Sequence, residues 1–347
     1  MGVGLIAYLA KSGLINLGRL ERLIISWPFT VAALALILLH IILISVRLSL
    51  LFQPQGLTLP LKTSLRLTLV GLFFDIFLPG ASGGPAVVLY YATRQNGGRR
   101  AEVATVVVFD RIIGLFSLFV LPLIFAPVFP HLLASVQVLR VILLSYSAVA
   151  FLMLGLFLLC LWSPSGANRL VSAIHFRLLR NWASRALETV RAYRRSPATL
   201  AASLALSLLA NLSMVGVIAL ALLVVNPASV AWRLCLIAPI GQIVNSLPIT
   251  PGGLGVGEMA FNTLFKLSGL SGGAEAILCW RVWAALLSGL GLFFYLRGME
   301  PCVVTRPAPM GGASSDNPVA PEADSARSAR SSDYARPWRA SKRLTFR

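Results

Sequence analysis

The sequence predicts an all-α, polytopic integral membrane protein of about six to eight membrane segments, two of them re-entrant helical hairpins within an inverted-topology repeat. Three observations carry this. Hydrophobic residues make up 57% of the 347 and charged residues only 12%, with mean hydropathy +0.81, a balance outside that of soluble domains. A short polar signature, L-P-x-x-x-G-G, occurs twice in apolar surroundings, at Leu78–Gly84 and Leu247–Gly253. After each copy, at nearly the same distance, an arginine stands inside another apolar run: Arg111 in the first case, Arg281 in the second.

Pro removes a backbone donor and Gly-Gly has no helix propensity, so each signature breaks a helix while the chain is still at membrane depth. Irregular backbone there is tolerated only when buried in protein or lining a wet cavity. Broken segments at matching places in two halves mark a transporter's substrate site. The alternative is a pair of ordinary kinks between packed helices.

In chain order, residues 1–26 hold an apolar stretch too short to span, followed by a mildly amphipathic stretch, and read as a partial span. The first complete span runs from about Trp27 to Val46 and is closed by Arg47. Lys62 and Arg66 open the run that ends at Asp75 and the first signature; the apolar stretch to Thr93 then returns to Arg94, Arg99 and Arg100. A segment that starts and finishes beside basic residues is expected to be a re-entrant hairpin with both ends cytoplasmic. Ala101 to Pro127 is a full span carrying Asp110 and Arg111; the loop to Gln137 has no Lys or Arg and is expected outside; Val138 to Trp162 returns.

Between residues 163 and 197 stand seven arginines against one acid, Glu188, which reads as a cytoplasmic amphipathic segment on the headgroup surface. Ala198 to Val225 goes outward again, and Trp232 to Leu247 enters to the second signature. The transmembrane unit is therefore 27–298, with halves of about 27–127 and 198–298. Residues 299–347, rich in Pro, Ala, Ser and Arg, read as a disordered basic tail. The net charge of +18 lies mainly in loops and this tail, which suits anionic headgroups better than nucleic acid. Cys160, Cys235, Cys279 and Cys302 show no C-x-x-C spacing, and the three histidines are scattered. No disulfide, metal or cofactor is inferred, and no enzymatic activity.

Ionisable groups at membrane depth cost roughly 2.5 to 3.5 kcal/mol each, so they are expected to avoid lipid and to find partners. Asp75 is assigned to Arg111 and Glu258 to Arg281. Adjacent Asp110 and Arg111 diverge by about 100° on a helix and cannot serve one another. These pairs either lock hairpins onto spans or leave the arginines to fork a phosphate. The candidate substrate-binding set is Asp75, Pro79, Gly83, Gly84, Asp110 and Arg111 in the first half, with Pro251, Gly252, Gly253, Glu258 and Arg281 in the second.

At these residues the chain resembles the transmembrane, flippase-like region of lysylphosphatidylglycerol synthase and its stand-alone relatives. The resemblance rests on Gly71 to Pro79 with Gly83-Gly84, on Asp110 to Leu115, and on Pro251-Gly252-Gly253-Leu254-Gly255-Val256-Gly257-Glu258. It implies a bacterial inner-membrane protein that moves, or helps move, an anionic or isoprenoid-linked lipid between leaflets, or a non-transporting membrane subunit that docks an envelope-lipid (glycosyltransferase or hopanoid-type) biosynthetic enzyme. The aminoacyl-transferring domain of the full-length synthases is absent from this sequence. Asp75 replaces the family's usual Asn, Pro85 a usual acid, and Asp110-Arg111 a Glu-Arg pair. With that acid missing, Arg111 is expected to matter less than Arg281.

Overall fold

The computed structural model describes residues 27–77, 83–162, 196–225, 231–247 and 253–297, together with Ser184, Tyr193, Arg194 and Thr250. The expectations for residues 1–26, for nearly all of the basic 163–197 segment and for the 299–347 tail lie outside these. The described chain is all helical: α1 Trp27–Phe52, α2 Leu61–Phe77, α3 Gly83–Gln95, α4 Arg100–Phe125, α5 Pro130–Ser135, α6 Gln137–Trp162, α7 Pro197–Val225, α8 Leu234–Asn245, α9 Val256–Leu267 and α10 Gly273–Leu296. Among the described residues five stretches are long and apolar enough to cross a membrane, and they coincide with α1, α4, α6, α7 and α10. By contrast, α8 and α9 have 12 residues each and reach only about 18 Å, short of a hydrocarbon core of roughly 30 Å.

The signatures fall where the sequence places the breaks. α2 stops at Phe77 and α3 starts at Gly83; α8 stops at Asn245 and α9 starts at Val256. In the second break Gly253 and Gly255 have φ of 70° and 84°, a left-handed backbone that side chains disfavour.

Each hairpin closes on the side from which it enters. At the mouth of α2–α3, Thr58 N donates to Asn96 Oδ1 (2.8 Å) while Asn96 Nδ2 donates to the Thr58 carbonyl (3.1 Å). Arg99 reaches the Gly56 carbonyl across the same mouth. At the mouth of α8–α9, Arg233 Nη1 donates to the Ser268 carbonyl (2.9 Å). The span α4 connects the two: it begins beside Arg99, and the chain just beyond its end puts Phe129 against Trp232, ring centroids 4.5 Å apart. The two hairpins therefore enter from opposite faces of the membrane. Lys62, Arg94, Arg99 and Arg100 mark the first mouth, called here the basic face.

The repeat is visible in the packing. α1, α2, α3 and α4 correspond in order to α7, α8, α9 and α10, and the pattern of which helices touch is unchanged when the halves are exchanged. α2 packs on α10 as α8 packs on α4, and α4 on α7 as α10 on α1. At the centre α1 and α7 run antiparallel. Leu36 lies against Gly216, His40 Nδ1 donates to the Ala210 carbonyl at 2.8 Å, and Arg47 Nη1 donates to Ser207 Oγ at 2.9 Å, numbers rising on one helix as they fall on the other. A two-fold relation between antiparallel partners has its axis in the membrane plane, which is the inverted arrangement. α5 and α6 lie between the halves; α6 packs on α4 and is otherwise largely exposed.

One boundary is corrected. Arg47 does not close the first span: α1 continues to Phe52, and Arg47 is 7% exposed. A buried ion pair, described below, keeps it inside.

The hairpin assignment predicts labelling in pairs. In a cysteine-free background, single cysteines at Lys62 and Arg94 should share one response to an impermeant thiol reagent, and those at His131 and Lys266 the opposite one. Different responses at Lys62 and Arg94 would make α2–α3 a crossing rather than a hairpin.

Candidate functional site

Beside the second break, Arg281 on α10 is held from three sides. Its Nε donates to Glu258 Oε1 at 2.7 Å, and its Nη2 donates to Asn245 Oδ1 at 2.7 Å and to the Gly253 carbonyl at 2.9 Å. Glu258, fully buried, uses its other oxygen to accept the Gly255 N–H at 2.5 Å, capping α9 where the helix leaves an orphan donor. One carboxylate thus pairs the arginine and caps the helix after the break. A buried ion pair is tolerable when its remaining hydrogen-bonding capacity is met in this way. A side chain on Gly257 would come 2.9 Å from Arg281 Nη2 and would also collide with Asn245.

The first break uses the same plan with different parts. Asp75, near the end of α2, accepts the Gly84 N–H through Oδ1 at 2.7 Å, so again a carboxylate caps the helix after the break. A Cβ placed on Gly84 would meet Arg111 Nη2 at 2.9 Å and Asp75 Oδ2 at 3.1 Å. The two groups therefore face each other over Gly84, although no ion pair within 4 Å forms between them. The helices approach as closely as backbones allow, since a Cβ on Gly71 would lie 2.6 Å from Gly84 Cα.

The two arginines differ in surroundings. Arg281 has a side-chain exposure of 14%. Arg111 is exposed, on a face of α4 shared with Val108, Ile112 and Leu115, about 16 Å along the helix from Arg100. Although the residue is exposed, its guanidinium turns toward the buried Gly84 and the half-buried Asp75 at the first break.

Asp110 does not join these groups. Both its oxygens are taken by Arg47, with Nε to Oδ1 at 2.7 Å and Nη2 to Oδ2 at 2.8 Å, and both residues are buried. Ser207 of α7 completes the arrangement by accepting from Arg47 Nη1. One guanidinium thereby joins α1, α4 and α7. Pro79, Pro251 and Gly252 lie outside the described residues; Gly83 is buried against Phe74 at the hairpin's close approach, and the Gly253 carbonyl is an Arg281 ligand.

Sequence reasoning missed Arg47, Asn245 and Ser207. A signal existed for Asn245: it precedes Arg281 by 36 residues, the same interval that separates Asp75 from Arg111. Counting back from the arginines rather than from Leu-Pro aligns the two. Arg47 carried no such signal, because a cation after a long apolar run looks like the end of a span.

The family model of the lysylphosphatidylglycerol synthase TM region matches residues 1–291. The chain belongs to that family. No curated protein and no solved structure matches it. The family match takes in the first repeat, the second as far as residue 291, both breaks and both arginines, and it extends through the first 26 residues that composition alone set apart. In this lysylphosphatidylglycerol synthase TM chain, the described motif residues other than Asp110 thus gather at two helix breaks, and Asp110 belongs to a third cluster between the repeats.

The glycines separate packing from site geometry. Gly71→Ala drives a methyl into the backbone of α3 and should cost about 1 to 3 kcal/mol, read as a lower unfolding temperature. Gly84→Ala meets the mobile end of Arg111 and should leave that temperature nearly unchanged while displacing the guanidinium from Asp75. Equal losses from both would mean that the Asp75–Arg111 approach is only packing.

Proposed function

We propose that the chain moves an anionic, phosphate-bearing lipid between the leaflets of a bacterial inner membrane, with Arg111 docking the headgroup and no covalent chemistry of its own. The observation that carries this reading is the contrast between the arginines. Arg281 is surrounded by Glu258, Asn245 and the Gly253 carbonyl, whereas Arg111, inside an apolar span, is exposed and has Asp75 beside it. A guanidinium at that depth offers a planar fork of donors for phosphate oxygens, and an open helix face leaves the acyl chains in the bilayer. Two hairpins entering from opposite faces give the site the symmetry that alternating access needs. The family's link to a lysyl-modified phospholipid supports a lipid as the cargo. By the positive-inside rule the basic face is cytoplasmic.

This reverses the ranking that the resemblance implied, and the two arginines test it. In reconstituted vesicles carrying a headgroup-labelled anionic phospholipid, Arg111→Lys should slow movement by roughly tenfold, the factor for about 1.4 kcal/mol of lost charge-assisted hydrogen bonding. Its unfolding temperature should stay near wild type. Arg281→Lys should chiefly lower that temperature, because it abandons bonds to Asn245 and Gly253. If Arg111→Lys moves lipid at the wild-type rate, the docking role is wrong; if no variant and no wild-type protein moves lipid, the chain is better read as a subunit that docks an envelope-lipid enzyme.

A further inference from the structure

We infer that Arg47 is a positioning residue for Arg111, acting through Asp110, and that it does so by fixing the roll of α4 against both repeats. This rests on the headgroup-docking reading of Arg111 and deepens it. Neither Arg47 nor Ser207 lies in the signature motifs.

α4 presents two faces of different character. Asp110, Gly114 and Ser117, spaced three and four residues apart, form an inner face. Asp110 takes two hydrogen bonds from Arg47; the same guanidinium lies over Gly114, where a Cβ would meet Arg47 Nη1 at 3.1 Å; Ser117 Oγ accepts from Asn211 Nδ2 at 2.7 Å. Arg111 belongs to the outer face with Val108, Ile112 and Leu115. Because adjacent residues diverge by about 100°, holding Asp110 inward dictates where Arg111 points, and it points at Gly84 and Asp75. A roll of one residue would exchange the two, placing a carboxylate against Asp75 and a guanidinium against Arg47.

Roll alone could be fixed by apolar packing, but the chosen device is ionic and crosses the repeat boundary. Arg47 belongs to α1 of the first repeat, while Ser207 and Asn211 belong to α7 of the second. On the other side of the α1–α7 crossing, the contact is Leu36 against Gly216. The crossing is thus bonded through Arg47 towards the basic face, and Leu36 packs on Gly216 beyond it. Arg47 holds Arg111 in register with α7, so that a movement of α7 against α1 is felt at the first hairpin tip.

The test uses the full-length chain in vesicles of anionic phospholipid, with two readouts. A nitroxide at Ile112 reports roll through its accessibility to oxygen, and the lipid concentration for half-maximal movement reports how well Arg111 is aimed. Arg47→Gln should lower oxygen accessibility at Ile112 at least twofold and raise the half-saturating concentration about tenfold. Arg47→Lys, which keeps the charge and one hydrogen bond, should recover part of both. A purely structural Arg47 would give a lower unfolding temperature with both readouts at wild-type values, and that result overturns the inference. Should Arg47→Gln fail to fold, Ser207→Ala and Arg47→Lys carry the same comparison, and wild-type values in both are again fatal. If Arg111→Lys leaves lipid movement unchanged, the headgroup reading falls, yet the oxygen accessibility at Ile112 still decides whether Arg47 sets the roll.

Discussion

Everything in this structure follows from one constraint: an ionised side chain or an unpaired backbone group at membrane depth has to be satisfied by the protein itself. Breaking a helix inside the bilayer frees backbone donors, and here each break is answered by a carboxylate. Asp75 accepts the Gly84 N–H and Glu258 the Gly255 N–H. Burying a carboxylate then calls for a cation, and each break has an arginine from the last long helix of its repeat. Signature, acid and arginine are therefore one device, and the glycines are what allow its parts to meet: Gly84 and Gly257 stand where a methyl would touch the guanidinium.

The same constraint explains why the repeats associate so closely. α1 and α7 are apolar on nearly every face, and between apolar helices in lipid there is little hydrophobic drive. Small residues and polar links supply the association instead. Gly216 admits Leu36, His40 bonds the Ala210 carbonyl, Arg47 bonds Ser207, and Ser117 accepts from Asn211. Towards the basic face, Tyr193 adds a further tie, its hydroxyl donating to the Leu51 carbonyl at 2.6 Å while its ring stacks on Phe109. The chain entering α7 is thereby anchored to the end of α1.

Much of the fold was legible because a twofold repeat writes its evidence twice. L-P-x-x-x-G-G located both breaks, the basic residues around Arg94 gave the first hairpin its return, and Glu258 found Arg281 because a buried acid and base near one break have few other choices. The Arg47–Asp110 pair was not legible. Its members lie 63 residues apart, and nothing in the local pattern distinguishes a cation that snorkels at a span's end from one that turns inward. The unequal enclosure of Arg111 and Arg281 was not legible for a related reason: depth can be counted along a sequence, but how far a side chain is covered depends on its neighbours.

The repeats also show how equal motifs acquire unequal roles. Each arginine has one carboxylate, but Asp75 stands before its break and Glu258 after it. Glu258 is carried by the helix it caps, so it holds Arg281 against α9, and Asn245 closes the remaining side from α8. Arg281 is thus gripped by both limbs of its hairpin. In the first repeat the acid occupies the position that Asn245 holds in the second, and the place corresponding to Glu258 falls at the apolar Val88-Leu89. Arg111 is consequently faced by an acid from α2 alone. Moving one carboxylate across a helix break has left one arginine enclosed and the other open, while both hairpins keep the order helix, break, helix.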